Sequence, residues 1–152
     1  MSIDILQDKI RKMKNPSMLD LSMQLQDIPE AYRDCGEVEG CLRYSKDLMT
    51  ALKDLVPALR LSFDRFALLG ADGLKALEEL LSFAGALGYY RLLDGPALLT
   101  PGDAQVTADK LFAGETYPCE ALLVSPYIGT DGLKPFVPMC KEGGKTLFVT
   151  VR

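Results

Sequence analysis

Strand-like and helix-like segments alternate along almost the whole chain, and this order constrains the fold more than any other feature. The residue pattern predicts five helices, at residues 3–13, 41–56, 74–87 and 103–112 and after Thr130 or Asp131, either of which can cap the fifth. Five strands are predicted at residues 17–21, 58–63, 89–93, 121–124 and 146–151. Such alternation predicts an α/β protein with a parallel sheet and right-handed crossovers.

Two architectures accommodate five parallel strands in 152 residues. One is a doubly wound open sheet, and the other is part of a (β/α)8 barrel, which as a whole typically needs about 250 residues. The last predicted strand is followed only by Arg152, so no helix covers it, and both outer strands would keep an unpaired edge. We therefore expect residues 1–152 to form one partial domain, cut short relative to a complete fold.

The chain contains no histidine, and this absence restricts its chemistry. A Ser-His-Asp triad, a Cys-His pair and a His-ligated zinc site are excluded, so acid–base work would fall to Asp, Glu, Lys, Tyr or Cys. The four cysteines, at positions 35, 41, 119 and 140, are widely spaced and form no Cys-x-x-Cys motif. We predict no metal site.

Charge and hydropathy bear on partners and location. A formal net charge of −4 without a basic cluster favours neither nucleic acid nor an anionic membrane surface as a partner. No apolar run approaches the roughly 20 residues of a membrane span, and the first residues lack the pattern of a signal peptide. We expect a cytoplasmic protein with reduced thiols.

Polar residues stand where the predicted strands end. Ligands of parallel α/β folds bind at the C-terminal ends of the strands, and these positions hold Asp20, Arg60, Asp94 and Ser125. Two acids and one base therefore point toward a common rim, although turn formation or capping also explains the two acids. Residues 129–132 are suited equally to binding an anion through backbone N–H groups and to capping a helix. The sequence has neither a Gly-x-Gly-x-x-Gly nor a Walker A loop.

Several segments resemble the orotidine 5′-phosphate decarboxylase family in its longer bacterial form. The most specific is SPYIGTDGLKPF at residues 125–136, which is similar to that family's Asn-Pro-Tyr-Leu-Gly-Ser-Asp-Gly-x-Lys-Pro-Phe segment after strand 4. Residues 46–58 resemble the helix leading into strand 2, and residues 73–77 the next helix. Residues 15–17 and 28–30 match as well. The resemblance spans nearly the whole chain but only about the first half of the family's barrel.

This resemblance implies a fold, an activity and a partner. It favours the N-terminal part of a (β/α)8 barrel, with about five parallel strands, over an open sheet. It implies decarboxylation of orotidine monophosphate to uridine monophosphate in de novo pyrimidine biosynthesis, with no cofactor. In the family a carboxylate repels the substrate carboxylate and a neighbouring lysine protonates the resulting carbanion. The resemblance also implies a homodimer with shared sites.

The family's catalytic motif, Asp-x-Lys-x-x-Asp-x-x-x-Thr at strand 3, is only partly present. Asp94 matches its first Asp, and Asp103 and Thr107, after a loop longer than the family's, correspond to the later Asp and Thr, which reach the partner subunit's site. Pro96 stands where the lysine belongs, and Lys110 lies about one helical turn past Thr107. The resemblance implies that Asp94 and Asp103 are catalytic residues.

Substrate-binding residues are implied in the same way. Asp20 corresponds to the ribose-binding acid of strand 1, Arg60 lies on strand 2 where the family has Lys-Pro-Gln, and Ser125 replaces an Asn. Thr107 completes this set. The family's phosphate-binding residues lie near strands 7 and 8, outside the part that this chain matches.

Two functional hypotheses follow. The first is an orotidine 5′-phosphate decarboxylase-like protein that takes an orotidine monophosphate-like nucleotide but is catalytically impaired. Proline has no amine to donate a proton, and an arginine such as Arg60 stays protonated, so neither replaces the missing lysine. The alternative is a non-catalytic homologue that binds a phosphorylated ligand or acts through protein contacts.

Overall fold

Five parallel strands, separated by helices, form the framework of the molecule. The structure is a computed structural model that describes residues 1–151. Its elements are α1 (Ser2–Met13), β1 (Met18–Asp20), α2 (Glu37–Leu52), β2 (Ala58–Ser62), α3 (Phe63–Ala67), α4 (Gly70–Ala86), β3 (Tyr90–Asp94), α5 (Ala104–Thr107), β4 (Ala121–Val124), α6 (Gly129–Leu133), α7 (Val137–Lys141) and β5 (Thr146–Val149). A π-helical turn (Ala108–Phe112) continues α5.

The strands lie in the sheet in the order in which they occur in the chain, β1-β2-β3-β4-β5, and every neighbouring pair is parallel. A doubly wound sheet reverses its strand order at a switch point, whereas a (β/α)8 barrel does not. The predicted partial barrel of about five parallel strands is therefore confirmed, and the doubly wound alternative is wrong.

The main core lies between one face of this sheet and the helices. Leu77, Leu80, Leu81 and Ala84 of α4 recur at helical spacing and are all 0% exposed. They belong to one cluster with leucines and valine that alternate along the strands: Leu59, Leu61, Leu93, Leu122 and Val124. Burying each leucine contributes about 1.5–3 kcal/mol, so this cluster holds the helices on the sheet.

Helix α1 packs on the opposite, inner face of the sheet. Leu6 lies in a second cluster with Tyr90 and with the first residues of β2 and β4. The hydroxyl of Ser2 is hydrogen-bonded to the Tyr90 hydroxyl at 3.2 Å and to the Thr146 hydroxyl at 2.6 Å. The first helix thereby lies at the N-terminal ends of the strands, opposite the ends that carry the candidate site residues.

The observed helix bounds differ from the predicted ones mainly at the N-terminal ends of two helices. Helices α2 and α4 both begin four residues earlier than predicted, at Glu37 and Gly70. Gly36, with a φ of 92°, and Gly70, with a φ of 76°, supply the left-handed backbone that starts each of them. Helix α3 has no counterpart among the predicted elements.

No helix within residues 1–151 is long and apolar enough to cross a membrane.

The prediction that Thr130 or Asp131 caps the helix after β4 is wrong. Helix α6 begins earlier, at Gly129, and its N-cap residue Ile128 makes no side-chain cap. The side-chain cap of this segment is Ser125, whose hydroxyl oxygen accepts a hydrogen bond from the backbone N–H of Tyr127 at 3.3 Å. Ser125 thus fixes the turn that directly follows β4.

Candidate functional site

The register of three neighbouring strands brings two acids and one base to the inner face of the sheet. Asp20 pairs with Arg60 across β1 and β2, and Ser62 pairs with Asp94 across β2 and β3. Since side chains alternate along a strand, Arg60 and Ser62 lie on the same face. Asp20, Arg60 and Asp94 therefore converge near the C-terminal strand ends, as the sequence predicted for a common rim.

Arg60 joins the two acids directly. Its Nη2 donates a hydrogen bond to Oδ2 of Asp94 at 2.5 Å, and its Nη1 donates one to Asp20. The other oxygen of Asp20 accepts a hydrogen bond from the backbone N–H of Ser22 at 2.9 Å. The Asp94 side chain is 24% exposed and that of Arg60 32%, so the group is neither buried nor fully solvated.

The hydrogen bonds and charges of this cluster shift the pKa values of Asp20 and Arg60. Partial burial acts to raise the pKa of Asp20, but the Ser22 N–H and the charge of Arg60 outweigh it and hold the pKa below its ordinary value. Partial burial acts to lower the pKa of Arg60, but Asp94 and Asp20 outweigh it and raise the pKa. Arg60 is therefore a charge-pairing group and no proton donor.

A cavity of about 310 Å³ opens beside Asp94. It lies between the loop that follows β3 and the turn that follows β4, where a parallel α/β fold binds its ligands. Its lining comprises Asp94, Gly95, Pro96, Ala97, Leu123, Val124, Ser125, Tyr127 and Thr150. Asp94 and Ser125, two of the predicted site residues, thus share one cavity.

Backbone hydrogen bonds hold Pro96 in the wall of this cavity. The N–H of Gly95 donates to the carbonyl of Leu123 at 2.9 Å, and the N–H of Ala97 donates to the Asp64 carboxylate at 2.8 Å. Asp64 lies in α3. Because no helix was predicted there, the hydrogen bond between Ala97 and Asp64 was not predicted either. The signal for it is the spacing of Phe63, Phe66 and Ala67, which places apolar groups on one side of a short helix.

Asp103 and Thr107 lie apart from the other candidate residues. Neither lines the cavity beside Asp94. The carboxylate of Asp103 is exposed and accepts a hydrogen bond from the Thr100 hydroxyl at 2.6 Å, while the N–H of Thr107 donates to the Asp103 carbonyl at 2.9 Å. Lys110 is exposed on the π-helical turn and does not line the cavity either.

Within the described part of the chain, no three His, Cys, Asp or Glu side chains form a group that could hold a metal ion. The site is instead a polar rim on a singly wound parallel sheet, with ionisable groups at the C-terminal strand ends. This architecture is that of the N-terminal part of a (β/α)8 barrel.

Comparison with known proteins narrows this class to one family. No family model matches the chain. Curated relatives named orotidine 5′-phosphate decarboxylase include that of Rhodopirellula baltica, 28% identical over 91% of this chain and 47% of the relative. That of Deinococcus radiodurans is 32% identical over 80% of this chain and 43% of the relative. That of Clostridium kluyveri is 27% identical over 100% of this chain and 52% of the relative.

Solved structures show the same fold. A Streptomyces avermitilis protein assigned as an orotidine 5′-phosphate decarboxylase superposes with a TM-score of 0.78 at 24% identity, over 95% of this chain and 50% of its own. The OMP decarboxylase of Leishmania donovani superposes with a TM-score of 0.72 at 23% identity, over 97% of this chain and 52% of its own. The chain belongs to the orotidine 5′-phosphate decarboxylase family, and it spans about half the length of the curated relatives it matches.

Proposed function

We propose that this chain carries an orotidine 5′-phosphate decarboxylase-like nucleotide site that no longer decarboxylates efficiently. Support for the site comes from the named relatives and from the cavity at the C-terminal strand ends. The ligand class is a pyrimidine nucleotide, the class to which orotidine monophosphate belongs. Asp20 and Arg60 serve as its ribose-binding groups, and Asp94 and Ser125 face its ring.

The observation that carries the proposed impairment is the position of Pro96. It lies in the cavity wall two residues after Asp94, where the family resemblance places the protonating lysine. None of the residues that line the described cavity is a lysine or an arginine. Arg60, the cation bound to Asp94, stays protonated. A positioned proton donor contributes typically about 10²–10⁴-fold to a rate, so its loss leaves slow turnover at best.

Release of labelled carbon dioxide from carboxyl-labelled orotidine monophosphate tests this proposal. We expect no release above background from the purified chain. The Rhodopirellula baltica relative serves as the positive control, and the same relative shortened to the matching half separates the effect of length from that of Pro96. Turnover by this chain near the rate of the intact relative would contradict the proposal.

A second function, association with another copy of the chain, is supported by the loop after β3 and the helix that follows it. Leu98 is 94% exposed and Val106 is 62% exposed, and Leu68 of the neighbouring α3–α4 segment is 83% exposed. Asp103 and Thr107 lie in the same segment, outside the cavity of their own chain. We propose that they complete the site of the partner subunit in a homodimer.

Sedimentation velocity tests the homodimer. We expect a concentration-dependent dimer that Leu98→Ser and Leu68→Ser weaken, because both remove exposed apolar area. Ile5→Ser, which changes a 50% exposed apolar residue of α1, is the control and leaves the dimer unchanged. A monomer at all concentrations would refute the proposed homodimer.

We also propose a cytoplasmic location, which is supported by the four free cysteines.

A further inference from the structure

The cavity beside Asp94 has an unbalanced charge. Among the described residues that line it, Asp94 is the only Asp, Glu, Lys or Arg. Pro96 lines the cavity at the position where the family has its lysine, and proline carries no charge. Among the described residues that line this space, a ligand therefore meets one carboxylate and no lysine or arginine.

The cation paired with Asp94 is shared between two carboxylates. Arg60 donates from one terminal nitrogen to Asp20 and from the other to Asp94. One guanidinium thus faces two carboxylates, and the group as a whole carries a net charge of one negative unit. Arg60 has five N–H donors, of which these two carboxylates take two, and its Nε is buried with no hydrogen-bond partner in the described chain.

This distribution discriminates between two kinds of pyrimidine ring. An orotidine-type ring bears a carboxylate, which is repelled by a site of the same sign, and the repulsion falls with salt and with exposure. A uridine-type ring is neutral and meets no such repulsion. We infer that the cavity selects a pyrimidine nucleoside with an uncharged ring over its carboxylated counterpart. The inference rests on the proposed nucleotide site and adds the ring chemistry that this site prefers.

The size and the mouth of the cavity fit such a ring. Its volume of about 310 Å³ lies at the lower end of small-molecule sites, which run from about 300 to 1,000 Å³. Tyr127 lines the cavity and is 84% exposed. An aromatic face in that position stacks on any planar base, because every base has a π-face.

Titration of the full chain with uridine and with orotidine, followed by NMR chemical shifts, tests the inference. Both probes lack phosphate, so the comparison isolates the ring. We expect uridine to bind roughly five- to tenfold more tightly at low salt, as like-charge repulsion across a half-exposed site predicts. The preference should shrink as ionic strength rises, which a purely steric preference would not do.

Two variants assign the effect to charge. Pro96→Lys restores a cation beside Asp94, and Asp94→Asn removes the repelling carboxylate, so each should narrow or reverse the preference. Asp131→Asn, an acid whose side chain is 84% exposed and lies outside the cavity, is the matched control and should leave the preference unchanged.

The outcomes separate the two proposals. Orotidine binding as tightly as uridine, or an unchanged preference in Asp94→Asn, would overturn the ring selectivity and leave the nucleotide site standing. Binding of neither nucleoside would overturn both.

Discussion

Arg60 and Asp94, 34 residues apart in the sequence, form an ion pair between neighbouring strands, with 2.5 Å between Nη2 and Oδ2. The pair fixes the Asp94 carboxylate at the edge of the cavity. It also makes the charge of the cavity depend on a residue of another strand, because Arg60 offsets part of the negative charge there. A change at Arg60 is therefore expected to affect both the fold and the site.

Replacing Arg60 by methionine keeps the apolar stem and removes the charge. Asp20 and Asp94 then face each other without a cation, and hydrogen bonds to charged groups are worth about 1.5–3 kcal/mol each. Because the group is partly exposed, we expect Arg60→Met to lower the free energy of unfolding by about 2 kcal/mol in urea denaturation. Arg11→Met, which breaks a pair that is about three-quarters exposed, is the control and should change it by less than about 0.5 kcal/mol. Equal effects of the two variants would contradict this role of Arg60.

The lowered pKa of Asp20 predicts a loss of stability in acid. A carboxyl group whose pKa is lower in the folded state than its unfolded value of 3.8 stabilises the fold above 3.8. That contribution is lost as pH falls through the folded-state pKa. The stability difference between the wild-type chain and Asp20→Asn should therefore be largest near neutral pH and shrink below about pH 4. A difference for Asp20→Asn that stays constant with pH would exclude the linkage.

Gly40 is expected to tolerate no side chain although it lies inside a helix. A Cβ at this position of α2 would lie 2.3 Å from the carbonyl oxygen of Tyr32 and 3.0 Å from Cδ1 of Ile28. Alanine normally stabilises a helix interior by about 1 kcal/mol relative to glycine. Here we expect Gly40→Ala to destabilise the protein by about 1–3 kcal/mol, because a backbone atom has to move.

Thermal or urea unfolding of Gly102→Ala provides the comparison for Gly40→Ala. The nearest atom to a Cβ at Gly102 is the Thr100 hydroxyl oxygen at 3.7 Å, an ordinary contact. That substitution should be neutral or slightly stabilising. A Gly40→Ala protein as stable as wild type would show that the turn containing Tyr32 yields without cost.

The cysteines are expected to differ strongly in reactivity. Burial raises the pKa of Cys119 to about 11, from an ordinary value of 9.0, and its residue is 4% exposed, whereas Cys35 is exposed. Since the thiolate is the reactive form, alkylation of the native chain at pH 8 should modify Cys119 at least roughly 100-fold more slowly than Cys35. Mass spectrometry of the peptides measures both rates. Cys35→Ser should remove the fast phase, and comparable rates in the native wild-type chain would rule out the burial of Cys119.

Tyr127 is expected to matter for ligand binding and hardly for folding. Because it is 84% exposed, Tyr127→Ala should change the unfolding free energy by less than about 0.5 kcal/mol. Loss of base stacking, worth about 1–3 kcal/mol, should weaken uridine binding roughly five- to 150-fold, whereas Tyr127→Phe retains the stacking face. Uridine titrations of both variants decide the matter. Unaltered affinity of Tyr127→Ala would show that its ring does not touch the base.

Helices and strands with a clear apolar pattern could be predicted, because that pattern lies within the segment itself. Strand 121–124 is an apolar run whose observed bounds match the prediction at both ends. The early starts of α2 and α4 were missed because their first turns are polar and begin at glycines, which patterns of apolar residues do not detect. Helix α3 was missed because in five residues the apolar spacing of Phe63, Phe66 and Ala67 occurs only once and does not repeat.

The sequence by itself determined the order of strands and helices, the family resemblance and the absence of a lysine at position 96, since each can be read from neighbouring residues. Only the tertiary structure decided which candidate residues meet. Asp20, Arg60 and Asp94 meet because the parallel register of three strands places them on one face, and charge pairing holds them together. Asp103 and Thr107 remain apart from them, because the loop after β3 carries both away from the cavity.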